Sequence, residues 1–138
     1  MNKKILVPVD GSRCSEKAFL YSLDEADQLN NRLTILRVVS DFGYSGELLE
    51  KGLKKQIEEA RKYVKELKKG ADERGIETKI DVITGTDTAT EIVKFADKGE
   101  YDLIVIGSRG RTELETITLG SVSEGVVKRA NCPVLVVR

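Results

Sequence analysis

Gly107-Ser108-Arg109-Gly110-Arg111, and then, nine residues on, Gly120-Ser121-Val122-Ser123, form the stretch of this 138-residue sequence with the clearest chemical content. Glycines let a backbone approach a ligand closely and adopt φ > 0. Arginines carry a fixed positive fork, and a helix that starts after Gly120 turns its first N–H groups and the positive end of its dipole outward. Together these make a cradle for an anion, above all a phosphate. The spacing is neither the Gly-x-x-x-x-Gly-Lys of a Walker loop nor the Gly-x-Gly-x-x-Gly of a dinucleotide fold. A second turn, Asp10-Gly11-Ser12, has the same ligand-like composition.

Other chemistries are excluded by what the chain lacks. It contains no histidine, and its two cysteines, Cys14 and Cys132, lie far apart. Zinc sites of the Cys/His kind and histidine-dependent nucleophiles are therefore ruled out, and the thiols read as buried or idle side chains in a reducing compartment. No catalytic residue and no protein-held metal is assigned. The formal net charge is zero, so nothing advertises nucleic acid or an anionic membrane as partner. No apolar run is long enough to span a bilayer, and the N-terminal run Ile5-Leu6-Val7 breaks at Pro8 and Asp10, too early for a signal peptide. The expected location is the cytoplasm.

The elements that must hold these turns follow from periodicity. Ile5–Val9, Leu33–Val39, Asp102–Ile106 and Pro133–Val137 are short β-branched apolar runs, the pattern of buried parallel strands. Residues 76–83 alternate apolar and polar, the pattern of an edge strand with one wet face. Between them lie helical stripes. Ala18, Phe19, Ser22, Leu23, Ala26 and Leu29 follow a Ser12 cap and stop at Asn30-Asn31. Leu49, Leu53, Ile57, Ala60, Val64, Leu67 and Ala71 define a long helix over 47–74, with Gly70 as a place for a kink or an early end. Ile92, Val93, Phe95 and Ala96 follow a cap at Thr86, Asp87 or Thr88, with Thr84–Asp87 as the preceding turn. Val122, Val126, Val127 and Ala130 follow Ser121 or Ser123 as N-cap. Residues 40–46 are turn-rich, and the segment 41–52 is placed to gate a pocket.

Five strands alternating with four helices specify a single α/β domain over residues 1–138 with a parallel sheet and right-handed crossovers. Ligands of such folds collect beyond the carboxyl ends of the strands, where the strand order reverses. Should the first and fourth strands be neighbours, both glycine turns face one crevice.

Gly107-x-x-Gly110, nine residues, then Gly120-Ser121 resembles the nucleotide-binding signature of the universal stress protein family. The first strand and turn, Ile5 to Ser12, the fourth strand, Asp102 to Ser108, and the closing strand, Asn131 to Val137, are also similar to that family's. The resemblance implies a five-stranded, Rossmann-like sheet of order 3-2-1-4-5 with helices on both faces. It further implies a homodimer through the fifth strand (Val134, Leu135, Val136, Val137) and binding of ATP, with AMP or ADP as alternatives, and of Mg²⁺ held mainly by the phosphates. By that resemblance Gly107, Ser108, Arg109, Gly110, Arg111, Gly120, Ser121, Val122 and Ser123 surround the phosphates and ribose. Asp10 lies on the ribose side, Val38 offers backbone hydrogen bonds to the base, and Pro8 and Val9 flank it. Many members carry histidine where this chain has Arg109, which places any role for a titrating imidazole outside its reach.

Four or five donors at about 1.5–3 kcal/mol each reach the ~8 kcal/mol of micromolar affinity without a Walker lysine. Rapid hydrolysis also needs a placed water and charge compensation, and no general base stands out. The expectation is a nucleotide-dependent regulatory module of the stress response with little or slow hydrolysis. A slow ATPase or phosphotransferase, and a dimeric adaptor with a vestigial pocket, are the alternatives.

Overall fold

The computed structural model describes residues 3–43, 45–110 and 119–138. Nine elements alternate along the chain: β1 (Lys4–Pro8), α1 (Arg13–Leu29), β2 (Arg32–Ser40), α2 (Gly46–Glu73), β3 (Thr78–Gly85), α3 (Thr88–Lys98), β4 (Leu103–Gly107), α4 (Ser121–Arg129) and β5 (Val134–Val137). The sheet is parallel, in the order β3-β2-β1-β4-β5. β1 is central and covered on both faces, which is why Ile5, Leu6 and Val7 need no polar alternation and are at most 1% exposed. β3 is an edge strand, and its alternating Lys79 and Asp81 are exposed.

Two cores flank the sheet. On one face Phe19 and Leu23 of α1 and Val64 and Ala71 of α2 close over Ile5, Val7, Leu33, Ile35 and Val105. On the other, Ala89, Ile92 and Ala96 of α3 and Val126 of α4 close over Leu6, Leu36, Val38, Ile104 and Ile106. Successive strand residues feed opposite cores, as the two-residue period of a strand demands.

Several local expectations are corrected. Thr84 and Gly85 are strand rather than turn, because β2 runs on to Ser40 and offers them partners at Val39 and Ser40. Gly70 neither kinks nor ends α2, which continues to Glu73; the space where its Cβ would stand is empty, so its cost stays a matter of propensity alone. Leu29, in the last turn of α1, is 46% exposed and lies outside both cores. The stripe of α2 is buried only at Ala60, Val64 and Ala71. Leu49, Leu53 and Ile57 are half-buried, in the stretch of α2 from which Gln56 joins the cleft lining.

The caps divide in the same way. Ser12 caps α1 as expected: its Oγ accepts from the Ser15 N–H at 3.1 Å, and Asn30 closes the helix at φ 56°. α4 departs from expectation, because Gly120 is its N-cap and Ser121 its first helical residue. The Ser123 hydroxyl is turned inward instead, donating to the carbonyls of Ser108 (2.8 Å) and Gly120 (3.0 Å). Asp87 is the N-cap of α3 by backbone position, but its carboxylate accepts from Thr90 and from Arg129 of α4 rather than capping. Those two donors hold Asp87 below the usual carboxylate range.

Candidate functional site

The strand order reverses between β1 and β4: α1 leaves β1 over one face, and α4 leaves β4 over the other. Chains that diverge in this way leave a crevice at the carboxyl ends. Here it is a cleft of about 450 Å³, within the range of small-molecule sites.

One end of the cleft is built by a mismatch in strand length. β1 pairs with β2 only up to Pro8↔Leu36, with one further bond from the Val9 N–H to the Leu36 carbonyl at 2.9 Å. In a parallel strand, alternate residues turn both N–H and C=O toward the same neighbour. Arg32 and Leu36 face β1, whereas Leu33 faces β3. Val38 therefore faces the β1 side, two residues past the point where β1 stops. Its amide and carbonyl point into the cleft, beside Pro8, Val9, Ser40 and Gln56. The Val38 side chain packs on the α3 core with Ile92.

The other end is built from main chain. The Ser108 N–H donates to Val137 at 2.8 Å, and the Ser108 carbonyl receives the Gly120 N–H at 2.6 Å as well as the Ser123 hydroxyl. Those bonds set the start of α4 against the exit of β4, so that Ser121, Val122 and Ser123 line the cleft opposite Gly107, Arg109 and Gly110. First-turn N–H groups have no acceptor within their own helix and lie at the positive end of its dipole. The two glycine turns are joined where the Ser12 hydroxyl donates to the Arg109 carbonyl at 3.3 Å. Gly11 makes that turn possible at φ 85°, a conformation L side chains rarely adopt.

Charge in the cleft is partly internally matched. Asp10 accepts the Ser12 N–H at 2.9 Å. The Arg109 guanidinium reaches the Cys14 sulfur at 3.7 Å, and the Ser108 hydroxyl lies 3.7 Å from the same atom. Burial by itself would raise the Cys14 thiol, but hydrogen bonds from Ser108 and Arg109, with the Arg109 charge, outweigh it and hold the thiol below its ordinary value. Behind the cleft, the Tyr63 hydroxyl is buried with no hydrogen-bond partner among the described residues. That burial, with the Glu16 and Asp10 charges nearby, pushes its pKa up to about 12.

Ten of the residues singled out from the sequence line this cleft: Pro8, Val9 and Asp10 from β1 and its turn, Val38 from β2, Gly107, Arg109 and Gly110 after β4, and Ser121, Val122 and Ser123 from α4. Ser108 and Gly120 do not; both are buried behind it and hold the loop. Arg111 lies outside the described residues. Gly107 lines the wall but is a glycine for another reason. A Cβ there would stand 2.6 Å from the Cys14 carbonyl carbon and 2.7 Å from the Ser15 nitrogen, inside the backbone of α1. Nor does Gly120 use a left-handed conformation, its φ being −74°. Sequence reasoning missed Ser15, Arg37, Ser40, Gln56, Thr88, Ile92 and Ile106. Arg37 carried a signal, being the one charge inside the apolar run Leu33–Val39.

The pattern of the Universal stress protein family matches residues 1–138. The chain belongs to the universal stress protein family. It is 40% identical over 143 residues to Universal stress protein MJ0531 of Methanocaldococcus jannaschii, covering 99% of this chain and 82% of that one. It is 36% identical over 156 residues to MJ0577 of the same organism. The solved structure of MJ0577 superposes with a TM-score of 0.90 over 99% of this chain and 96% of that one. A universal stress protein from Archaeoglobus fulgidus, solved in complex with dAMP, shares the fold at 22% identity, with a TM-score of 0.75 over 100% and 98% of the two chains. As a universal stress protein, the chain has the expected sheet order and the expected neighbouring of β1 and β4.

Proposed function

We propose that this universal stress protein binds ATP, with AMP or ADP as weaker alternatives, and acts as a nucleotide-dependent regulatory module. The observation that carries the reading is the pairing of two ends in one cleft. The main chain of Val38, which has no β1 partner and whose carbonyl accepts from Arg37 Nη1, is set to face a purine edge, and the α4 start with Gly107–Gly110 matches phosphate. In this reading Asp10 lies on the ribose side and Pro8 and Val9 flank the base, all three being in the cleft lining. Distant members of the fold carry adenine nucleotides, as the dAMP complex illustrates. In this reading Mg²⁺ is held mainly by the phosphates.

The chain acts as one domain over 1–138 and as a homodimer. β5 is the outermost strand, and its Val134, Leu135, Val136 and Val137 are only half-buried, an edge of the kind that pairs with a second copy. Among the described residues no helix is long and apolar enough to cross a membrane, which accords with a cytoplasmic location.

Denaturing the purified protein and chromatographing the released nucleotides tests the reading. Retained ATP is the expected result. Retained ADP or AMP turns the reading toward a slow ATPase. No retained nucleotide, together with no heat on titrating MgATP, overturns binding and leaves a dimeric adaptor.

A further inference from the structure

Ser12 is buried, and its hydroxyl is used twice. The oxygen accepts the Ser15 N–H at 3.1 Å, which caps α1, and the hydrogen is donated to the Arg109 carbonyl at 3.3 Å. The cap accounts only for the acceptor half. Aspartate and asparagine cap helices as well as serine does, and an aspartate has no hydrogen to give. The donor half is directed at the loop after β4, and it falls there on a particular peptide unit. One unit earlier, the Ser108 carbonyl is held from α4 by the Gly120 N–H and the Ser123 hydroxyl. Peptide units are planar, so bonds from α4 and from α1 orient two consecutive planes on either side of Arg109. Arg109 and Gly110, both in the cleft lining, follow from those planes. The Ser12 N–H, a separate group, meets the Asp10 carboxylate at 2.9 Å. Main chain therefore serves the Asp10 turn, and side chain serves the glycine loop.

We propose that Ser12 is a positioning residue for phosphate, its hydroxyl holding the Arg109–Gly110 peptide unit in the orientation that receives the phosphates of a nucleotide. The inference rests on the reading of the cleft as a nucleotide site with phosphate at Gly107–Gly110. A loop already held in its bound conformation loses less freedom when the ligand arrives. The gain belongs to the phosphates alone, because the Ser12 N–H that meets Asp10 is present whatever the side chain.

Calorimetric titration of ATP and of adenosine into the wild type and into Ser12→Ala, Ser12→Gly and Ser12→Thr tests this. Ser12→Ala removes donor and cap together, whereas Ser12→Gly removes the donor and keeps most of the cap, glycine being only slightly worse than serine there. In both, ATP should weaken by about threefold to tenfold, the worth of one net hydrogen bond, while adenosine stays within about twofold. Ser12→Thr keeps both halves of the hydroxyl and should bind ATP within about twofold of the wild type. An unchanged ATP-to-adenosine affinity ratio in a folded Ser12→Ala or Ser12→Gly overturns the inference. That holds even where both ligands weaken, since a loss shared by the two reports a displaced α1 and not a misdirected loop. A Ser12→Thr that melts like the wild type and still loses ATP selectively overturns it as well. In these cases a wild type that binds ATP leaves the parent reading standing. A wild type that binds neither ligand overturns that reading, and this inference with it.

Discussion

The two ends of the cleft are made of different material. Around Gly107–Gly110 and the start of α4 the wall is main chain, fixed by Ser108, Gly120 and Ser123 through bonds of 2.6 to 2.8 Å. Around Val38 the main chain has lost its β1 partner, and what surrounds it is long side chains, Arg37 from β2, which donates to the Val38 carbonyl, and Gln56 from α2. The first end is a rigid part of the core and the second an adjustable lining. Affinity for a constant group such as phosphate suits the former, and discrimination among bases suits the latter.

The comparison can be broken first at Gly107. Gly107→Ala places a Cβ against the α1 backbone, and the overpacking should cost about 3 kcal/mol and lower the Tm by about 10 °C. A Tm within a degree or two of the wild type would show that α1 and β4 yield, and that this end is not rigid. Ser123→Ala removes a buried donor shared by two carbonyls and should cost about 1–2 kcal/mol in urea unfolding.

At the other end, Gln56→Ala should change stability by no more than about 0.5 kcal/mol while altering nucleotide affinity measurably in the same calorimeter. A stability loss as large as that of Ser123→Ala would erase the contrast. Tyr63→Phe, behind the cleft, deletes a hydroxyl without a partner among the described residues and should be neutral or stabilising by up to about 1 kcal/mol. Its folded pKa is raised to about 12. The wild type should therefore lose stability relative to Tyr63→Phe only as pH climbs from about 10 toward 12.

The smallest effect belongs to Cys14, whose thiol is held below its ordinary value of 9.0. A depressed acid contributes stability above its unfolded pKa and loses it as pH falls through the folded one. Relative to Cys14→Ala, the wild type should gain slightly in urea melts as pH rises toward about 9 and hold that gain above it.

The same contrast explains what could be read in advance. The strands, their order of burial and the glycine loop were legible because close approach and core membership are written in residue type. Gly107 was found for a partly wrong reason: its missing Cβ makes room for α1 rather than for a ligand. Ser121 was misjudged as a cap because serine's preference for that position is local, whereas Gly120 is set there by its bond to Ser108, across the loop. The Val38 end was mostly illegible. Val38 matters because β1 stops at Pro8 while β2 runs on, a difference of lengths that neither strand shows alone. Gln56 arrives from a helix whose stripe predicts burial, yet whose residues before Ala60 are half-buried or exposed.

Ser108 carries a consequence of another sort. Its amide is fastened to Val137 in the outermost strand, its carbonyl to the entry of α4, and its hydroxyl rests on the sulfur of Cys14. One residue thus rivets sheet margin, loop and first helix together, so that a tug on the border strand is felt at the loop end of the cavity within a single peptide unit. The rim of the sheet and the floor of the pocket move as one piece.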